Sequence, residues 1–458
     1  MMDQNRKIKI ALATLGCKVN QYESAGIIRK LTTKGFESVP FNCPADIYIV
    51  NTCTVTEKTD YQSRQLIKRA NRTNPEAVII ATGCYAQTAP EKLSNLPGVT
   101  LVAGSDLKER LPGIIEAAMS STKEKPTWEE FSLKTLPGMG FDYDPDTNLP
   151  DHTRAFLKIQ DGCNSFCSYC IVPYARGRSR SLDADQVIHR VSALVASGYK
   201  EIVLSGIHLG MYGLDFDKHC SLLELLNRIE MNVEGLSRIR LSSIEPTEVT
   251  EELIGYVAQS RTICHHFHIP LQSGSNKILT RMKRCYSNQA FGEVVRKIKI
   301  ALPDAAIGID VMAGFPGEDE SDFTDTVEFI KGLPIAYLHV FPYSRRPGTE
   351  AARYPDQVNE RIKKERARVL RLLGQEKRRF FNDFFIGRKL SVLIESEHDR
   401  ETGLRKGFSN NYIPVLIEGN PAAISGNKIV DVIVTRSSDN KLYGLIEDGN
   451  QNQPAERA

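Results

Sequence analysis

Three cysteines lie close together in the stretch GCNSFCSYC, directly after a predicted strand. They are Cys163, Cys167 and Cys170, with the spacing C-x3-C-x2-C. Thiolates are the ligands of iron-sulfur clusters, and a four-iron cube needs four ligands. Three cysteines leave one iron without a protein ligand, and an open coordination position is typical of a reactive metal site. Structural zinc is the alternative, but it would need a fourth Cys or His, and this loop contains none. The spacing therefore predicts a loop that holds a reactive cluster.

A second set of cysteines ends three β-like runs in the first hundred residues. The runs IKIALATLGC, DIYIVNTC and AVIIATGC end at Cys17, Cys53 and Cys84. Helix-like stretches at 24–35 and 59–74 separate them, which predicts a β-α-β-α-β order and a parallel sheet. Ligands of open α/β sheets lie at the carboxyl ends of the strands, so these cysteines are expected at one edge as a second metal site. Alternatively, each is a small buried apolar residue. The cysteines without such a setting, which we expect to be structural, are Cys43, Cys220, Cys264 and Cys285.

The composition is that of an ordinary globular chain. Its 458 residues are 41% hydrophobic and 25% charged, which is long enough for about three domains. The net charge of +3 means that any affinity for nucleic acid must come from local basic patches. No apolar run is long enough to span a membrane. Ten cysteines are too few for a disulfide scaffold, so we expect a cytoplasmic protein with metal-binding thiols and no membrane partner.

The pattern of strands and helices predicts an α/β protein with several parts. Residues 6–120 are expected to form an open parallel α/β domain, and 121–150 a proline-containing linker. A second β/α series with six candidate strands predicts a partial (β/α)6 barrel over 151–355. A basic amphipathic helix over 356–385 connects it to a small β-barrel over 386–450, where short strands alternate with Gly and Asn turns.

The connecting helix combines an apolar stripe with a high positive charge. Its apolar residues recur at spacings of 7, 4, 7 and 4, which predicts one buried face. Residues 360–389 contain eleven Lys or Arg against four Asp or Glu. Cations displace counterions from phosphates, and small barrels commonly bind RNA, so helix and barrel are predicted to bind RNA. A solvated charged helix is the alternative. The predicted buried residues are Ile362, Val369, Leu373, Phe380 and Phe384.

Polar residues follow the strands of the predicted barrel, where they suit an amino acid and a ribose. Strand ends also need Gly and Ser merely to turn, which is the alternative. Three alternate arginines in YARGRSRS either clamp a carboxylate or phosphates or belong to a solvated loop. The four barrel histidines His208, His265, His266 and His268 are assigned no ligand role. The rim candidates are Ser205, Gly206, Ser243, Glu245, Gln272, Ser273 and Asp310, and the arginines are Arg176, Arg178 and Arg180.

The loop of Cys163, Cys167 and Cys170 resembles that of the radical S-adenosylmethionine (SAM) superfamily. The resemblance implies that SAM chelates the open iron through its amino and carboxylate groups and is cleaved to a 5'-deoxyadenosyl radical. It also implies that Tyr169 lies against the adenine of SAM. Among the rim candidates, it supports Ser205, Gly206, Ser243, Glu245 and Asp310 more than Gln272 and Ser273.

Along essentially the whole chain, the sequence is similar to the methylthiotransferase family. The matching stretches are LGCKVNQYES, VNTCTVTEK, TGCYAQ, QDGCNSFCSYCIVPYARGRSRS and LSGIHLGMYG. The resemblance implies two 4Fe-4S clusters, with the one at Cys17, Cys53 and Cys84 holding or supplying sulfur. It implies a C-terminal TRAM-like domain that binds tRNA, an external electron donor and a sulfur source. The expected RNA contacts are Arg176, Arg178, Arg180, Lys377, Arg378 and Arg379.

Within the family, the chain most resembles enzymes that methylthiolate C2 of N6-threonylcarbamoyladenosine at position 37 of tRNA. Two alternatives remain in the same class, namely isopentenyladenosine in tRNA and an aspartate of a ribosomal protein. A non-catalytic RNA-binding module with structural zinc is the alternative from another class.

Overall fold

The computed structural model describes residues 6–105, 107–108, 110–120, 153–218, 220–419, 426–438 and 440–447. The predicted linker at 121–150 lies outside these ranges. None of the described helices is long and apolar enough to cross a lipid bilayer.

The N-terminal part is a parallel sheet flanked by helices. The strand order is β2-β1-β3-β4-β5. The central strand β3 is buried along its whole length, as expected when helices cover both faces of a sheet. The α/β prediction is confirmed, but the sequence missed β2 and β5. The elements are β1 (Lys9–Thr14), α1 (Lys18–Thr33), β2 (Glu37–Ser38), β3 (Ile47–Thr52), α2 (Glu57–Thr73), β4 (Val78–Gly83), α3 (Cys84–Thr88), α4 (Pro90–Ser94), β5 (Val99–Ala103) and α5 (Leu111–Ser120).

The central part contains six parallel strands in two sheets of three. The orders are β6-β9-β10 and β11-β12-β13, and a bridge between Ile239 and Ile263 joins the two sheets into one curved wall. The elements are β6 (Arg154–Lys158), β7 (Gln160–Asp161), α6 (Val172–Arg176), β8 (Arg180–Ser181), α7 (Ala184–Ala196), β9 (Glu201–Ser205), α8 (Leu222–Asn232), β10 (Arg238–Leu241), α9 (Glu251–Gln259), β11 (His266–Gln272), α10 (Asn276–Arg281), α11 (Asn288–Ala301), β12 (Ala306–Ala313), α12 (Glu320–Gly332) and β13 (Tyr337–Pro342).

Alternation along these strands separates a dry core from a polar interior. Successive side chains of a strand point to opposite faces. On β6, Ala155 and Leu157 join the apolar core under the helices, so Arg154, Phe156 and Lys158 point into the barrel. The same alternation directs charged residues of the other strands inward. This inner space, which we call the lumen, is therefore polar.

The C-terminal part is a helix followed by a closed barrel. The strand order around the barrel is β14-β15-β16-β18-β17, which agrees with the predicted small β-barrel. The sequence missed β15. The elements are α13 (Glu360–Asp383), β14 (Lys389–His398), β15 (Arg405–Ser409), β16 (Pro414–Ile417), β17 (Ile429–Ser438) and β18 (Lys441–Ile446).

The predicted buried face of α13 was wrong at three of its five residues. Phe380 is 82% exposed, Ile362 45% and Phe384, which follows the helix, 41%, whereas Leu373 is buried as expected. The pattern failed because it counted only apolar residues, while the buried face includes charged ones that have partners. Arg366 is one of these, since its Nη1 lies 2.8 Å from Glu318 Oε1. The buried residues are Lys363, Arg366, Ala367, Leu370, Leu373, Gly374, Phe381 and Asn382.

Buried arginines join the central and C-terminal parts. Arg240 on β10 pairs with Glu201 through Nε, at 2.7 Å, and Nη2, at 2.9 Å, and its Nη1 donates to the Asn410 carbonyl at 2.9 Å. Arg238 donates to the Ser391 carbonyl at 2.8 Å. Because such groups are costly to bury without partners, these contacts fix the C-terminal barrel against one end of the lumen.

Candidate metal centres and substrate pocket

The structure brings Cys17, Cys53 and Cys84 to one edge of the N-terminal sheet. The three residues follow β1, β3 and β4, which are neighbours in the sheet. Cys17 is the N-cap of α1 and Cys84 is the first residue of α3. Helix N-termini favour negative charge, which suits thiolates. We call these residues the sheet trio.

The thiols of the sheet trio lie in a tight, partly buried setting. Burial raises the pKa of Cys53 to about 11, whereas Cys17 is exposed. Gly83 allows the turn into Cys84 because its φ is +96°, and a Cβ there would lie 2.5 Å from the Thr52 carbonyl oxygen. Metal binding at these thiols must therefore displace protons.

Cys163, Cys167 and Cys170 lie in a single loop between β7 and α6. The ladder of β7 with β8 closes this loop at its base. Inside it, the Cys163 amide donates to the Gly177 carbonyl at 3.1 Å, and the Cys170 amide to that of Cys167 at 2.9 Å. Gly162 precedes the loop with a φ of +73°. We call these cysteines the loop trio.

Two side chains contact the sulfurs of the loop trio. The sequence analysis named His208 without a ligand role, and it did not identify Arg284. His208 Nδ1 lies 3.3 Å from Cys163 Sγ, and its Nε2 lies 2.6 Å from Glu248 Oε1. Burial opposes the charge, but these two contacts raise the pKa of His208 to about 9. Arg284 Nη1 donates to Cys167 Sγ at 3.1 Å, and the same guanidinium pairs with Glu245. The signal in the sequence was weak, because Arg284 lies far from the cysteine motif.

The donor set of each trio fits an iron-sulfur cluster. Each supplies three thiols, which are the usual ligands of such clusters. His208 contacts Cys163 Sγ through one ring nitrogen and Glu248 through the other. Each trio supplies three thiols, one fewer than the four ligands of a four-iron cube.

Arg176 lies between the two parts that carry the trios. It is buried there, so its predicted contact with RNA was wrong. Its Nη1 lies 2.9 Å from Glu23 Oε1 and 3.0 Å from Asp161 Oδ1, while Nη2 donates to Asn20 Oδ1 at 2.5 Å. Glu23 and Asn20 belong to α1, which begins beside Cys17. Because its partners come from both parts of the chain, Arg176 connects the sheet trio to the loop trio.

The neighbouring arginines have different surroundings. Arg180 is partly buried and pairs with Asp161 on the neighbouring strand β7 at 3.1 Å, so its carboxylate partner belongs to the protein. Burial would raise the pKa of Asp161, but Arg176 and Lys158 outweigh it and lower the pKa to about 2. Arg178 is exposed, as an RNA contact requires.

The structure distributes the rim candidates unevenly. Ser205 is buried at the end of β9, and a Cβ at the following Gly206 would lie 2.8 Å from Gln160 Oε1. Ser243 is exposed after β10, whereas Glu245 pairs with Arg284 beside the loop trio. Tyr169 packs edge-on against Phe315, with 6.4 Å between ring centroids. Gln272 ends β11 with a φ of +65°, and Ser273 is buried against Thr326.

Asp310 lies in the middle of β12 and not at its end, which corrects the predicted position at the rim. Its Oδ1 lies 2.9 Å from His268 Nε2 and 3.3 Å from His339 Nδ1. Burial would raise the pKa of Asp310, but the two histidines lower it well below its usual range. Ligand atoms of the three residues lie within 4.8 Å of one another. His339 was not identified from the sequence.

The other two histidines also have protein partners. His265 Nδ1 lies 3.1 Å from Asp304, and His266 Nε2 lies 2.8 Å from the Tyr337 hydroxyl.

Two of the three predicted RNA contacts on α13 make contacts within the protein. Lys377 Nζ donates to the carbonyls of Lys331, at 2.6 Å, and Leu333, at 2.8 Å, at the end of α12. Arg378 lies over the Tyr337 ring at 5.3 Å. The prediction that Lys377 and Arg378 face solvent and contact RNA was therefore wrong, because this part of α13 packs on the barrel. Arg379 is exposed, and so are Arg361, Lys364, Arg368, Arg371, Arg388 and Lys389.

Comparisons with known proteins match both parts that carry cysteines. Residues 9–104 match the model of the uncharacterized protein family UPF0004, and residues 157–330 match the radical SAM superfamily. In fold, the chain is similar to the radical SAM methyltransferase TsrM from Kitasatospora setae, with a TM-score of 0.53 and 16% identity over 76% of this chain and 77% of that one.

Curated relatives match over nearly the whole chain. The threonylcarbamoyladenosine tRNA methylthiotransferase MtaB of Bacillus subtilis is 40% identical to the chain, over 96% of this chain and 97% of the relative. The MtaB of Aquifex aeolicus is 42% identical, over 90% of this chain and 97% of the relative. The tRNA-2-methylthio-N(6)-dimethylallyladenosine synthase of Pelotomaculum thermopropionicum is 33% identical over 96% and 97%. These relatives favour an enzyme over a non-catalytic zinc module. The chain therefore belongs to the radical SAM methylthiotransferases of tRNA, which use SAM and two 4Fe-4S clusters.

Proposed function

We propose that this tRNA methylthiotransferase acts on N6-threonylcarbamoyladenosine at position 37, replacing the hydrogen at C2 of the adenine with a methylthio group. The relatives named for threonylcarbamoyladenosine are more similar to the chain than the one named for dimethylallyladenosine. Both substituents are carried on N6 of the adenine. The threonylcarbamoyl group has a carboxylate and a hydroxyl, whereas the dimethylallyl group is a hydrocarbon.

The polarity of the lumen is the observation that carries this choice. Arg154, His268, Asp310 and His339 face the lumen. Polar groups are costly to bury against a hydrocarbon, because their hydrogen bonds to water are not replaced. A substituent with its own charge and hydroxyl offers them partners. The lining therefore supports the polar substrate over the apolar one.

The two trios are proposed to have separate tasks. The loop trio would hold the cluster that binds SAM, with Tyr169, Ser205, Gly206, Ser243 and Glu245 near the cofactor, and the sheet trio would hold the cluster connected with sulfur. When bound, these groups supply the radical that removes the hydrogen at C2, the sulfur, and the methyl group. His208 and Arg284 would stabilise negative charge on the loop sulfurs. We also propose an external electron donor and a sulfur source as partners.

The C-terminal part is proposed to position the tRNA. The exposed lysines and arginines of α13 suit phosphate contacts, which fix position without reading the base. The base itself must leave its stack to enter the lumen. In this division, residues 6–120 carry the sulfur-related site, 151–355 the radical site and 386–450 the RNA-binding barrel.

Mass spectrometry of tRNA nucleosides tests the substrate. In cells that lack the protein, 2-methylthio-N6-threonylcarbamoyladenosine is expected to disappear while its unmodified precursor accumulates. The matched measurement follows 2-methylthio-N6-isopentenyladenosine in the same samples. An unchanged level of the first nucleoside together with loss of the second would reject threonylcarbamoyladenosine as the substrate and support isopentenyladenosine. If neither changed while methylthiolation of a ribosomal-protein aspartate was lost, a protein would be the substrate.

A further inference from the structure

Lys18 extends from the start of α1 into the lumen. It follows Cys17 directly, in the stretch LGCKVNQYES. Its Nζ lies 5.9 Å from the ring centroid of Phe156 on β6 and 5.9 Å from that of Tyr412. Because Phe156 faces the lumen, the ammonium group of Lys18 lies at the lumen wall. The N-terminal domain thus contributes a cation to the barrel interior.

Two arginines surround the same tyrosine. The Cζ of Arg154 lies 5.7 Å from the Tyr412 ring centroid, and that of Arg240 lies 4.7 Å from it. Arg154 pairs with Glu395 at 3.0 Å, and Arg240 pairs with Glu201.

Lys18 differs from these arginines. Within the described ranges, no carboxylate forms an ion pair with its ammonium group. Three cations thus surround Tyr412, and the two carboxylates that pair with the arginines are also shared with Arg238 and Lys406, so positive charge is in excess. A partly buried charge is most stable when an opposite charge contacts it. The structure therefore offers a place for one anion, which a substrate can bring.

We infer that Lys18, assisted by Arg154, binds the carboxylate of the threonylcarbamoyl group. This inference rests on the proposed function and names the residues that would distinguish its substrate from dimethylallyladenosine. The ammonium and guanidinium groups donate charge-assisted hydrogen bonds to a carboxylate, and these are among the stronger hydrogen bonds in proteins. We call Lys18, Arg154, Phe156 and Tyr412 the carboxylate seat.

The walls of the carboxylate seat come from all three parts of the chain. Tyr412 belongs to the C-terminal barrel, where it has a φ of +67° and stacks on Phe408 with 5.1 Å between ring centroids. Phe156 and Arg154 belong to β6 and also line a cavity of about 410 Å³ between α1, β6 and the C-terminal barrel. The seat is therefore next to open space and not sealed in the core. Its tyrosine wall belongs to the part proposed to bind RNA.

Binding measurements with paired RNAs test the carboxylate seat. The holoenzyme, kept without reductant, is titrated with an anticodon stem-loop that carries N6-threonylcarbamoyladenosine, and with the same RNA whose carboxylate is converted to a carboxamide. The wild type is expected to bind the carboxylate RNA about 10- to 100-fold more tightly, as for a hydrogen bond to a charged group. Lys18→Met is expected to bind weakly and to lose most of the preference for the carboxylate RNA, whereas Lys18→Arg retains it.

Controls separate this effect from damage to the neighbouring cluster. Iron and sulfide are measured in every variant, because Lys18 adjoins Cys17. Lys30→Met changes a lysine elsewhere on α1 and is expected to keep the full preference. Arg154→Gln gives a second test that lies away from the cysteines, with a smaller loss of preference for the carboxylate RNA. If Lys18→Met loses iron, the comparison of Arg154→Gln with the wild type decides.

The outcomes distinguish the inference from the proposed function. The inference is overturned if Lys18→Met or Arg154→Gln, with normal iron content, discriminates between the RNAs as the wild type does. It is also overturned if the wild type methylthiolates the threonylcarbamoyl RNA yet binds the carboxamide equally well. If the wild type modifies only RNA that carries dimethylallyladenosine, the proposed function fails and the inference fails with it.

Discussion

The sheet trio and the loop trio each supply three thiols, but the two sets are organised in different ways. The sheet trio is assembled from three strands, and its members come together only when β1, β3 and β4 pair. The loop trio lies within one segment, closed by the short ladder of β7 and β8. The first site is thus a product of tertiary structure, while the second is largely a local motif.

The surroundings of the two trios differ in charge as well. The loop trio receives hydrogen bonds from its own cationic residues, His208 and Arg284. At the sheet trio, Cys17 and Cys84 lie at helix N-termini, and Arg176 contributes positive charge from the neighbouring part. The loop trio therefore has an independent electrostatic environment, whereas that of the sheet trio depends on the contact between the two parts.

The largest expected effect comes from removing each trio in turn. Replacing Cys163, Cys167 and Cys170 by alanine is expected to abolish SAM cleavage, because no site would remain to bind the cofactor through iron. The triple alanine variant of Cys17, Cys53 and Cys84 is expected to keep SAM cleavage but to form no methylthio product. Anaerobic assays of 5'-deoxyadenosine formation, with iron and sulfide quantitation, measure both effects. Full iron content in the sheet variant would mean that those thiols are structural.

The contrast between local and tertiary organisation also explains which features the sequence predicted and which it did not. The cysteine spacing and the β-branched runs were sufficient for both trios, because a strand that ends in a turn is a local pattern. The RNA contact expected of Arg176 was wrong because Glu23 and Asp161 bury it, whereas the alternative that it clamps a carboxylate agrees with these pairs. Which carboxylates it contacts was not predictable, because Glu23 lies 153 residues away in the sequence.

Other failures share that cause. The buried face of α13 includes Arg366, which is buried because it pairs with Glu318, and no pattern of apolar residues reveals such a pair. Asp310 was expected at the rim, but β12 continues beyond it to Ala313. Its partner His339 comes from the next strand. Strand register and long-range ion pairs are set by tertiary structure, and a single sequence carries only weak signals of them.

Arg176→Met tests whether the two trios depend on their contact. The variant leaves Glu23 and Asp161 without their shared guanidinium. Because lysines and Arg180 still pair with these carboxylates, we expect the loss to lie below the value of about 3–5 kcal/mol for a buried charge left unpaired. Urea denaturation under anaerobic conditions is expected to show this loss together with loss of iron from the sheet trio. Arg178→Met is the matched control, because Arg178 is exposed two residues away, and its midpoint is expected to stay near that of the wild type. Equal stability of the two variants would contradict the role given to Arg176.

Glycine substitutions compare the turns that precede the two sites. An alanine Cβ at Gly162 would lie 2.0 Å from the Arg178 carbonyl oxygen, and one at Gly83 would lie 2.5 Å from that of Thr52. Both contacts are with backbone, which cannot rotate away, so we expect each variant to lose about 2–4 kcal/mol of stability.

Gly198→Ala separates backbone strain from collision at these turns. Gly198 has a φ of +91° but no atom near its Cβ position, so only a left-handed cost of about 1–2 kcal/mol is expected. The midpoint temperatures of thermal unfolding rank the stabilities of the three variants. A Gly198→Ala variant as unstable as the other two would show that collision contributes little.

The smallest effect, a shift of potential, tests the claim that the loop trio has its own electrostatic environment. Arg284 Nη1 donates to Cys167 Sγ, and such a hydrogen bond stabilises a reduced, more negative cluster. Replacing Arg284 by methionine is therefore expected to lower the reduction potential of the loop cluster by about 20–60 mV, the equivalent of one hydrogen bond. Arg281→Met is the control, because Arg281 donates to the Pro316 carbonyl. Spectroscopic redox titration resolves the two clusters, and the sheet cluster is expected to keep its potential in both variants. Equal shifts at the two clusters would mean that they share one electrostatic environment, and the contrast between the trios would then reduce to how each is assembled.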